Sequence, residues 1–236
     1  MRRPLASIAL GLALASPAAA HDIERAETLL GEIADHRRVA AEAPTDAERA
    51  EGLFRLGETT ETLVAAVNQD VTAHGNRDLF AELVVKRLQA SALNVAWAPR
   101  ENRYVYDLAA FRDYLRRAPV GPRAAEAKFR LIARSFYATL GPDPAALVGT
   151  DVAGLLRAVA DEERFVKEHA THERAQTVRF FLAVDQYRLA RNVSDAKTRR
   201  EYEGRARQAL QQTVERSAEA FEVRAAQTLL ETLPRR

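Results

Sequence analysis

Residues 104–137 read YVYDLAAFRDYLRRAPVGPRAAEAKFRLIARSFY. The proline and glycine residues in the middle of this stretch, Pro119, Gly121 and Pro122, favour a turn. On both sides of the turn, apolar residues recur three or four positions apart, which is the spacing of one helix face. They are Leu108, Phe111, Tyr114 and Leu115 before it, and Ala124, Ala127, Phe129, Leu131, Ile132 and Phe136 after it. The stretch predicts a helical hairpin, that is, two antiparallel helices joined by a short turn.

The hairpin pattern recurs at an offset of 51 residues. The first shift aligns Tyr114, Leu115, Arg123-Ala124, Lys128, Phe129, Leu131 and Phe136 with Phe165, Val166, Arg174-Ala175, Arg179, Phe180, Leu182 and Tyr187. A second shift aligns Ala175-Gln176-Thr177 and Leu182 with Ala226-Gln227-Thr228 and Leu233. Each hairpin has an apolar face that it cannot bury alone, so we expect successive hairpins to stack and complete a common core.

Almost every other segment also has helical periodicity, and we find no convincing alternation of the kind that predicts a strand. The further predicted helices span residues 21–41, 46–74, 77–96, 152–169, 173–191, 195–216 and 218–233. In the third helix of the chain, the residues that we expect to face the core are Leu79, Phe80, Leu83, Val84, Leu88, Ala92 and Val95. Near the C-terminus we expect the same of Phe180-Phe181 and Phe221. The sequence therefore predicts an all-α fold.

The stretch 104–137 resembles the repeats of periplasmic tetratricopeptide-repeat (TPR) proteins, in particular the lipoprotein family of the outer-membrane β-barrel assembly machinery. The matching features are the start at Tyr106–Phe111, then Tyr114-Leu115-Arg116-Arg117, the proline turn and the closing Phe136-Tyr137. The resemblance implies a right-handed solenoid of stacked antiparallel helical hairpins, whose concave groove holds peptides or partner proteins and contains no catalytic residues. Unlike that lipoprotein family, this chain has no cysteine to which a lipid could be attached.

The first 20 residues are typical of a secretory signal peptide. Arg2 and Arg3 form a basic start, Ile8–Ala15 is a short apolar run, and Ala18-Ala19-Ala20 offers small residues for cleavage before His21. The run is too short to span a bilayer, and the alternative of a membrane-anchoring first helix lacks a strong anchoring flank. We expect a chain that is exported to a bacterial periplasm and has no transmembrane anchor once the signal peptide is removed.

Charge is unevenly distributed over the rest of the chain. Without residues 1–20 the chain holds 33 basic and 33 acidic residues, so we do not expect nucleic acid as a partner. Residues 21–75 have a net charge of −7 and residues 76–236 of +7. Either an acidic N-terminal hairpin docks on a basic body, or a bipolar surface steers a partner. We expect an acidic helical region at 21–98 and TPR-like hairpins at 104–236, together in one domain.

Residues 97–106, WAPRENRYVY, are the most binding-like stretch, and we expect them to form a loop between helices. They contain the single tryptophan of the chain together with arginines and tyrosines, and these three residue types often dominate binding energy at interfaces. Trp97, Arg100, Arg103 and Tyr104 are therefore the candidate partner-binding residues. The alternative is that Trp97 and Tyr106 close the core while the arginines are merely exposed.

Patterns that would indicate catalysis are missing from the sequence. It contains no nucleophile elbow, phosphate-binding glycine loop or dinucleotide fingerprint. His169 and His172 have the i,i+3 spacing of metal ligands, but they align with the turn of the first hairpin, where capping a helix is the simpler role. The acidic run Asp161-Glu162-Glu163 is expected to form a solvated helix face, ion-paired with Arg164 and Lys167. We expect no enzyme activity and no cofactor.

The sequence therefore predicts a non-enzymatic periplasmic scaffold or adaptor, which binds a peptide or an envelope protein. The alternative is a periplasmic helical bundle that binds a small ligand or a metal ion, through the histidines or the Trp97 loop. A groove lined by stacked hairpins would favour the first hypothesis, and a cluster of metal ligands would favour the second.

Overall fold

The computed structural model describes residues 22–74, 79–141 and 143–234. Its elements are α1 (Ile23–Glu42), α2 (Asp46–His74), α3 (Leu79–Ala90), β1 (Val95–Ala98), β2 (Arg103–Tyr106), α4 (Ala109–Arg117), α5 (Ala124–Thr139), α6 (Val152–Glu168), α7 (Ala175–Asn192), α8 (Ala196–Arg216) and α9 (Ala220–Thr232). The described chain is mostly helical, as predicted, while the TPR-like solenoid stays a prediction. The predicted signal peptide (residues 1–20) and the break between the predicted helices at 46–74 and 77–96 lie outside the described residues.

Helices α6 and α8 begin at aspartates that cap them. The Asp151 carboxylate accepts a hydrogen bond from Gly154 N (2.6 Å), and the Asp195 carboxylate accepts one from Thr198 N (2.7 Å). Such caps satisfy amide groups that have no partner within the first helical turn. They explain why both helices begin within one residue of the predicted positions.

The prediction that the chain contains no strand is wrong, because β1 and β2 are strands. These strands form an antiparallel ladder in which Trp97 lies opposite Tyr104. Val95, expected on a helix, is the first residue of β1 and is buried. Asn102 in the connecting turn has a φ of 51°, a left-handed conformation that asparagine tolerates better than most residues. The predicted loop at residues 97–106 is therefore mostly a β-hairpin.

Helix α3 ends at Ala90, six residues before the predicted position, because of a left-handed alanine. Ala92 has a φ of 54°, and the amide of Leu93 donates to Leu88 O (3.1 Å). This is the hydrogen bond of a Schellman-type helix end, which glycine usually forms. An alanine at that position gives no signal that a sequence pattern could detect.

The chain divides into two compact units. The first comprises residues up to 32 together with 60–106, and the second comprises 33–59 together with 107–236. The long helices α1 and α2 each contribute one part to each unit. The sequence-based division into regions 21–98 and 104–236 stays a prediction.

In the first unit, α3 buries Val84 and Leu88, as predicted, but not the other leucines that were predicted to face the core. Its buried residues are Ala81, Val84, Val85 and Leu88. Leu79 and Leu83, predicted to face the core, are 68% and 52% exposed. Apolar residues lie on both faces of this short helix, so periodicity did not distinguish the buried face from the exposed one.

In the second unit, helices α4 to α9 pack in sequential order, and α5 and α9 also contact α7. The central helix α7 buries Phe180 and Phe181, as predicted, in a cluster that includes Phe136, Leu210 and Leu229. Phe221, predicted to lie in the core, is 61% exposed. Helix α9 instead buries the face that carries Glu222, Ala226 and Leu229.

The turns α4–α5 and α6–α7 have the same hydrogen bonds at an offset of 51 residues. Ala118 N donates to Tyr114 O and His169 N to Phe165 O, both at 2.8 Å. The hydrogen bond from Gly121 N to Ala118 O (3.1 Å) corresponds to the one from His172 N to His169 O (3.0 Å). Likewise, the hydrogen bond from Ala124 N to Gly121 O corresponds to the one from Ala175 N to His172 O, and both measure 2.9 Å. The first sequence shift therefore corresponds to a repeated backbone structure.

The second shift of 51 residues has no such counterpart. It aligns Ala175, the first residue of α7, with Ala226, which lies in the middle of α9. The α8–α9 connection comprises only residues 217–219, and α9 begins at Ala220. The last helical pair therefore departs from the 51-residue offset.

Candidate functional site

A groove of about 310 Å³ lies in the second unit, over α5 and α6. It is lined by Leu115 of α4, by Lys128, Leu131, Ile132 and Ser135 of α5, and by Ala158, Asp161, Glu162, Arg164, Phe165 and Glu168 of α6. It thus lies against the two hairpins related by the 51-residue offset. None of the residues that the sequence proposed for partner binding lines it.

The floor of the groove is apolar. Leu131 and Ile132 are half-buried, and Phe165 is 1% exposed. Phe165 occupies the position equivalent to Tyr114, which is also 1% exposed. Both aromatic rings close the core below their turns, so the repeated packing that builds the hairpins also builds the floor.

The rim of the groove carries charges that are paired with one another. Lys128 Nζ lies 2.8 Å from Glu168 Oε2 and 3.3 Å from His169 Nε2. Arg164 lies 3.4 Å from Asp161. The hydrogen bond from Lys128 lowers the pKa of Glu168. Partial burial, and to a lesser degree Lys128, lower the pKa of His169. This shift favours the neutral ring, which can accept a hydrogen bond from Lys128.

Glu162 does not form a solvated face, which corrects the prediction for the acidic run 161–163. Its side chain is 1% exposed, and it lies on the buried face of α6 with Leu155 and Val159. Its neighbours in the run are exposed, as predicted. Asp161 pairs with Arg164, as predicted, whereas Glu163 lies 4.0 Å from Arg205 of α8 and not beside the predicted Lys167. Leu155, Val159 and Glu162 are spaced i, i+4 and i+7, which is one helix face, and this spacing was the signal that could have identified Glu162 as buried.

Glu162 faces two ionisable side chains of α7. Glu162 and Asp185 are both buried and each affects the pKa of the other, and Arg188 donates to Asp185 Oδ1 (2.9 Å). Burial raises the pKa of Glu162 well above its ordinary value, and the Asp185 carboxylate raises it further. Burial also raises the pKa of Asp185, against the opposing effect of Arg188.

Arg188 also forms hydrogen bonds to the connection between α5 and α6. It donates to Thr139 Oγ1 (2.9 Å), to Thr139 O (2.8 Å) and to Ala146 O (3.2 Å). Asn192, one turn further along α7, donates to Ala145 O (2.7 Å). Residues on α7 therefore hold the connection that leads into the groove-lining helix α6.

The four residues proposed for partner binding lie on the β1–β2 hairpin of the first unit. The rings of Trp97 and Tyr104 are half-buried and meet edge to face at 5.2 Å. Arg103 pairs with Glu101 (2.7 Å), and Arg100 is exposed in the turn. The hairpin thus brings the two aromatic residues together, while both arginines lie at the surface.

Asn68 of α2 occupies the backbone edge of β2. Tyr104 N donates to Asn68 Oδ1 (2.7 Å), and Asn68 Nδ2 donates to Tyr104 O (2.9 Å). The side-chain amide therefore takes the hydrogen bonds that a neighbouring strand would form. Because Asn68 occupies this edge at Tyr104, a peptide strand cannot pair with β2 there. The groove over α5 and α6 is therefore the better candidate for a binding site.

His169 and His172 lie at the α6–α7 turn, where the alignment with the first hairpin placed them. His169 is the C-cap residue of α6, and His172 Nδ1 accepts a hydrogen bond from Arg174 N (3.2 Å). Both rings contact Phe165, with centroid distances of 5.0 and 5.9 Å. Within residues 22–74, 79–141 and 143–234, no group of three or more histidine or acidic side chains is arranged to hold a metal ion.

Comparison with known proteins adds no relative. No protein family, no curated protein and no solved structure matches this chain. Among the helices that the structure describes, none has both the length and the apolar composition needed to cross a bilayer. The groove is therefore the feature of the described chain that points to a function.

Proposed function

We propose that the protein is a non-enzymatic binding protein of the bacterial periplasm, which holds a peptide segment of an envelope protein in the groove over α5 and α6. The observation that carries this proposal is an apolar floor enclosed by a rim of paired charges. The floor takes apolar side chains, and the rim offers hydrogen-bonding partners to a peptide backbone. The resemblance of residues 104–137 to periplasmic TPR proteins supports the same role.

The dimensions of the groove favour a short segment over a large surface. A volume of about 310 Å³ is at the lower end of the range of about 300–1,000 Å³ that is typical of ligand sites. It accommodates one or two large side chains. Anchoring by a few buried side chains is how many peptide-binding sites obtain their affinity.

The second candidate function is the binding of a small apolar molecule in the same groove. The size of the groove and the half-buried Leu131 and Ile132 of its floor favour it. Peptide and small molecule differ in what they need from the rim, because only a peptide has a backbone to pair with Lys128 and Glu168. Replacement of those two residues therefore distinguishes the two functions.

Peptide selection against the purified protein tests the proposal. Twelve-residue peptides selected from a random library should include sequences that bind the wild type, and their affinities can be measured by fluorescence polarisation. Ala158 lines the groove, so Ala158→Trp should fill it and weaken binding at least about tenfold. Leu156 is 41% exposed on the same helix and does not line the groove, so Leu156→Trp should leave the affinity unchanged.

Equal affinity of the selected peptides for all three proteins would contradict the proposal. Circular dichroism and thermal unfolding of the variants establish that each remains folded. If apolar molecules bind the groove but no selected peptide does, the small-ligand function is correct.

A further inference from the structure

Three ionisable side chains are buried together beneath the groove, at the contact of α6 with α7. Glu162, Asp185 and Arg188 are each 1% exposed. If both carboxyls were ionised, the cluster would carry a net negative charge inside the protein. A buried charge without a partner is costly, and titratable groups commonly avoid that cost by changing their protonation state.

We propose that Glu162 and Asp185 share one proton at neutral pH, and that loss of this proton at alkaline pH releases Glu162 from α7 into the groove. With the proton bound, one neutral carboxyl, one carboxylate and one guanidinium give no net charge. The cluster then works as a proton-dependent latch between α6 and α7.

The orphaned oxygens of the two carboxyls point to the shared proton. Glu162 Oε2 and Asp185 Oδ2 are buried and accept a hydrogen bond from no donor in the described chain. Two ionised carboxylates buried in one cluster would only repel each other, since neither has a hydrogen to donate. One proton converts the repulsion into a hydrogen bond between them.

Arg188 donates its hydrogen bonds elsewhere, so its charge acts on Glu162 only through space. Its Nη1 serves Asp185 and the hydroxyl of Thr139, and its Nη2 serves the carbonyls of Thr139 and Ala146. Turning towards Glu162 would break contacts that hold the α5–α6 connection. Glu162 therefore depends on the proton.

When the proton is lost, the Glu162 side chain can move into the groove, because it also lines the groove. The charged groups that face it are Asp161, Arg164 and Glu168 of α6, Lys128 of α5, and Asp185 and Arg188 of α7. On α8, Arg205 is engaged with the neighbouring Glu163, and α4 contributes only the apolar Leu115 to the groove. Lys128 and Arg164 are the cations that would attract the released carboxylate.

The latch predicts how stability depends on pH. The folded state holds a proton that Glu162 has lost in the unfolded chain, so the contribution of Glu162 is fully present at acidic pH, below its ordinary pKa. Stability then falls as pH rises towards the raised pKa of the folded state. In this interval, each pH unit reduces the folding equilibrium constant by up to about tenfold.

Chemical denaturation at several pH values between 5 and 9 tests the inference with two matched variants. In Glu162→Gln the amide donates to Asp185 without a titrating proton, so the ratio of its folding constant to that of the wild type should rise with pH. In Glu163→Gln, one residue away and exposed, the ratio should stay constant. A constant ratio for Glu162→Gln would overturn the inference.

Hydrogen exchange on the wild-type protein gives a test that needs no variant. Protection factors of the α6 and α7 amides, corrected for the intrinsic rate, should fall selectively between pH 6 and pH 9 while those of α8 do not. Uniform protection across this range would also overturn the inference. Both experiments omit peptide, so failure of the latch and failure of peptide binding are separate results.

Discussion

The α4–α5 turn has Tyr114 and Gly121 where the α6–α7 turn has Phe165 and His172. A Cβ atom on Gly121 would lie 2.6 Å from Tyr114 Oη, and that hydroxyl accepts a hydrogen bond from Arg123 N (2.9 Å). At the equivalent positions of the next hairpin, Phe165 has no hydroxyl and His172 has a side chain, whose ring contacts Phe165 at 5.9 Å. The Tyr114 hydroxyl therefore requires a residue without a side chain at position 121.

We expect Gly121→Ala to lower the free energy of unfolding by about 1–3 kcal/mol, because the new methyl group meets the Tyr114 hydroxyl. In a Tyr114→Phe background the same substitution should cost less, since the obstructing atom is gone. Urea denaturation of the four proteins of this double-mutant cycle measures the difference.

Gly31→Ala is the control for this cycle. Nothing lies within 4 Å of a Cβ at Gly31, so the substitution in helix α1 should stabilise by about 0.5–1 kcal/mol through the backbone. An equal cost of Gly121→Ala in both backgrounds would mean that the hydroxyl is not the obstacle.

Residue by residue, the sequence allowed more of the fold to be predicted than of the site. Tyr114 and Phe136 were assigned to the core from their spacing, and both are buried. Glu162 was assigned to solvent because it lies within an acidic run, although its spacing from Leu155 and Val159 matched a buried face. The decisive partners, Asp185 and Arg188, come from another helix, which no local pattern indicates.

At the scale of elements, Asn68 of α2 binds the β-hairpin through two hydrogen bonds to the backbone of Tyr104. We expect Asn68→Ala to lower the free energy of unfolding by about 1–3 kcal/mol, because Tyr104 N and O lose their partner. Urea denaturation measures this change. The fluorescence of Trp97, the single tryptophan, should change as well, since its ring contacts Tyr104.

Gln69→Ala is the matched control, because Gln69 is the next residue of α2 and is exposed. It should leave both stability and fluorescence close to those of the wild type. If the two substitutions have the same small effect, the Asn68 amide does not hold β2.

Element boundaries were predictable where the chain uses the residues that usually mark them. Prolines and a glycine marked the α4–α5 turn, and the aspartates at 151 and 195 fit the starts of α6 and α8. The boundaries around the β-hairpin depend on Ala92 and Leu108, which adopt φ values of 54° and 62°. These side chains rarely adopt left-handed conformations, so sequence gave no reason to end a helix or begin a strand there.

At the scale of the whole molecule, the unequal distribution of charge has a partial structural counterpart. Within the second unit, Asp46 of the acidic region lies 2.8 Å from Arg117, and Glu51 lies 3.9 Å from Arg123. All four side chains are exposed, so each pair contributes little, typically below about 1 kcal/mol. These contacts favour docking of acidic on basic segments over a surface reserved for steering a partner.

Export is the prediction that concerns the entire chain. Expressed from its full-length gene in a bacterium, the protein should be recovered from the periplasmic fraction with His21 as its first residue, as measured by intact mass. Ala20→Arg should leave residues 1–20 attached, because the cleavage site requires small residues, whereas the conservative Ala20→Ser should still be cleaved. Recovery of the uncleaved wild type from the cytoplasm would contradict the prediction.

The hydrogen bonds of Arg188 to the α5–α6 connection have a consequence for the order in which the protein is made. Arg188 lies 49 residues after Thr139 and 42 residues after Ala146. Synthesis proceeds from the N-terminus, so the connection leaves the ribosome before the side chain that binds it. The first repeated hairpin can thus assemble early, but the passage into α6 can acquire its final conformation only when α7 has emerged.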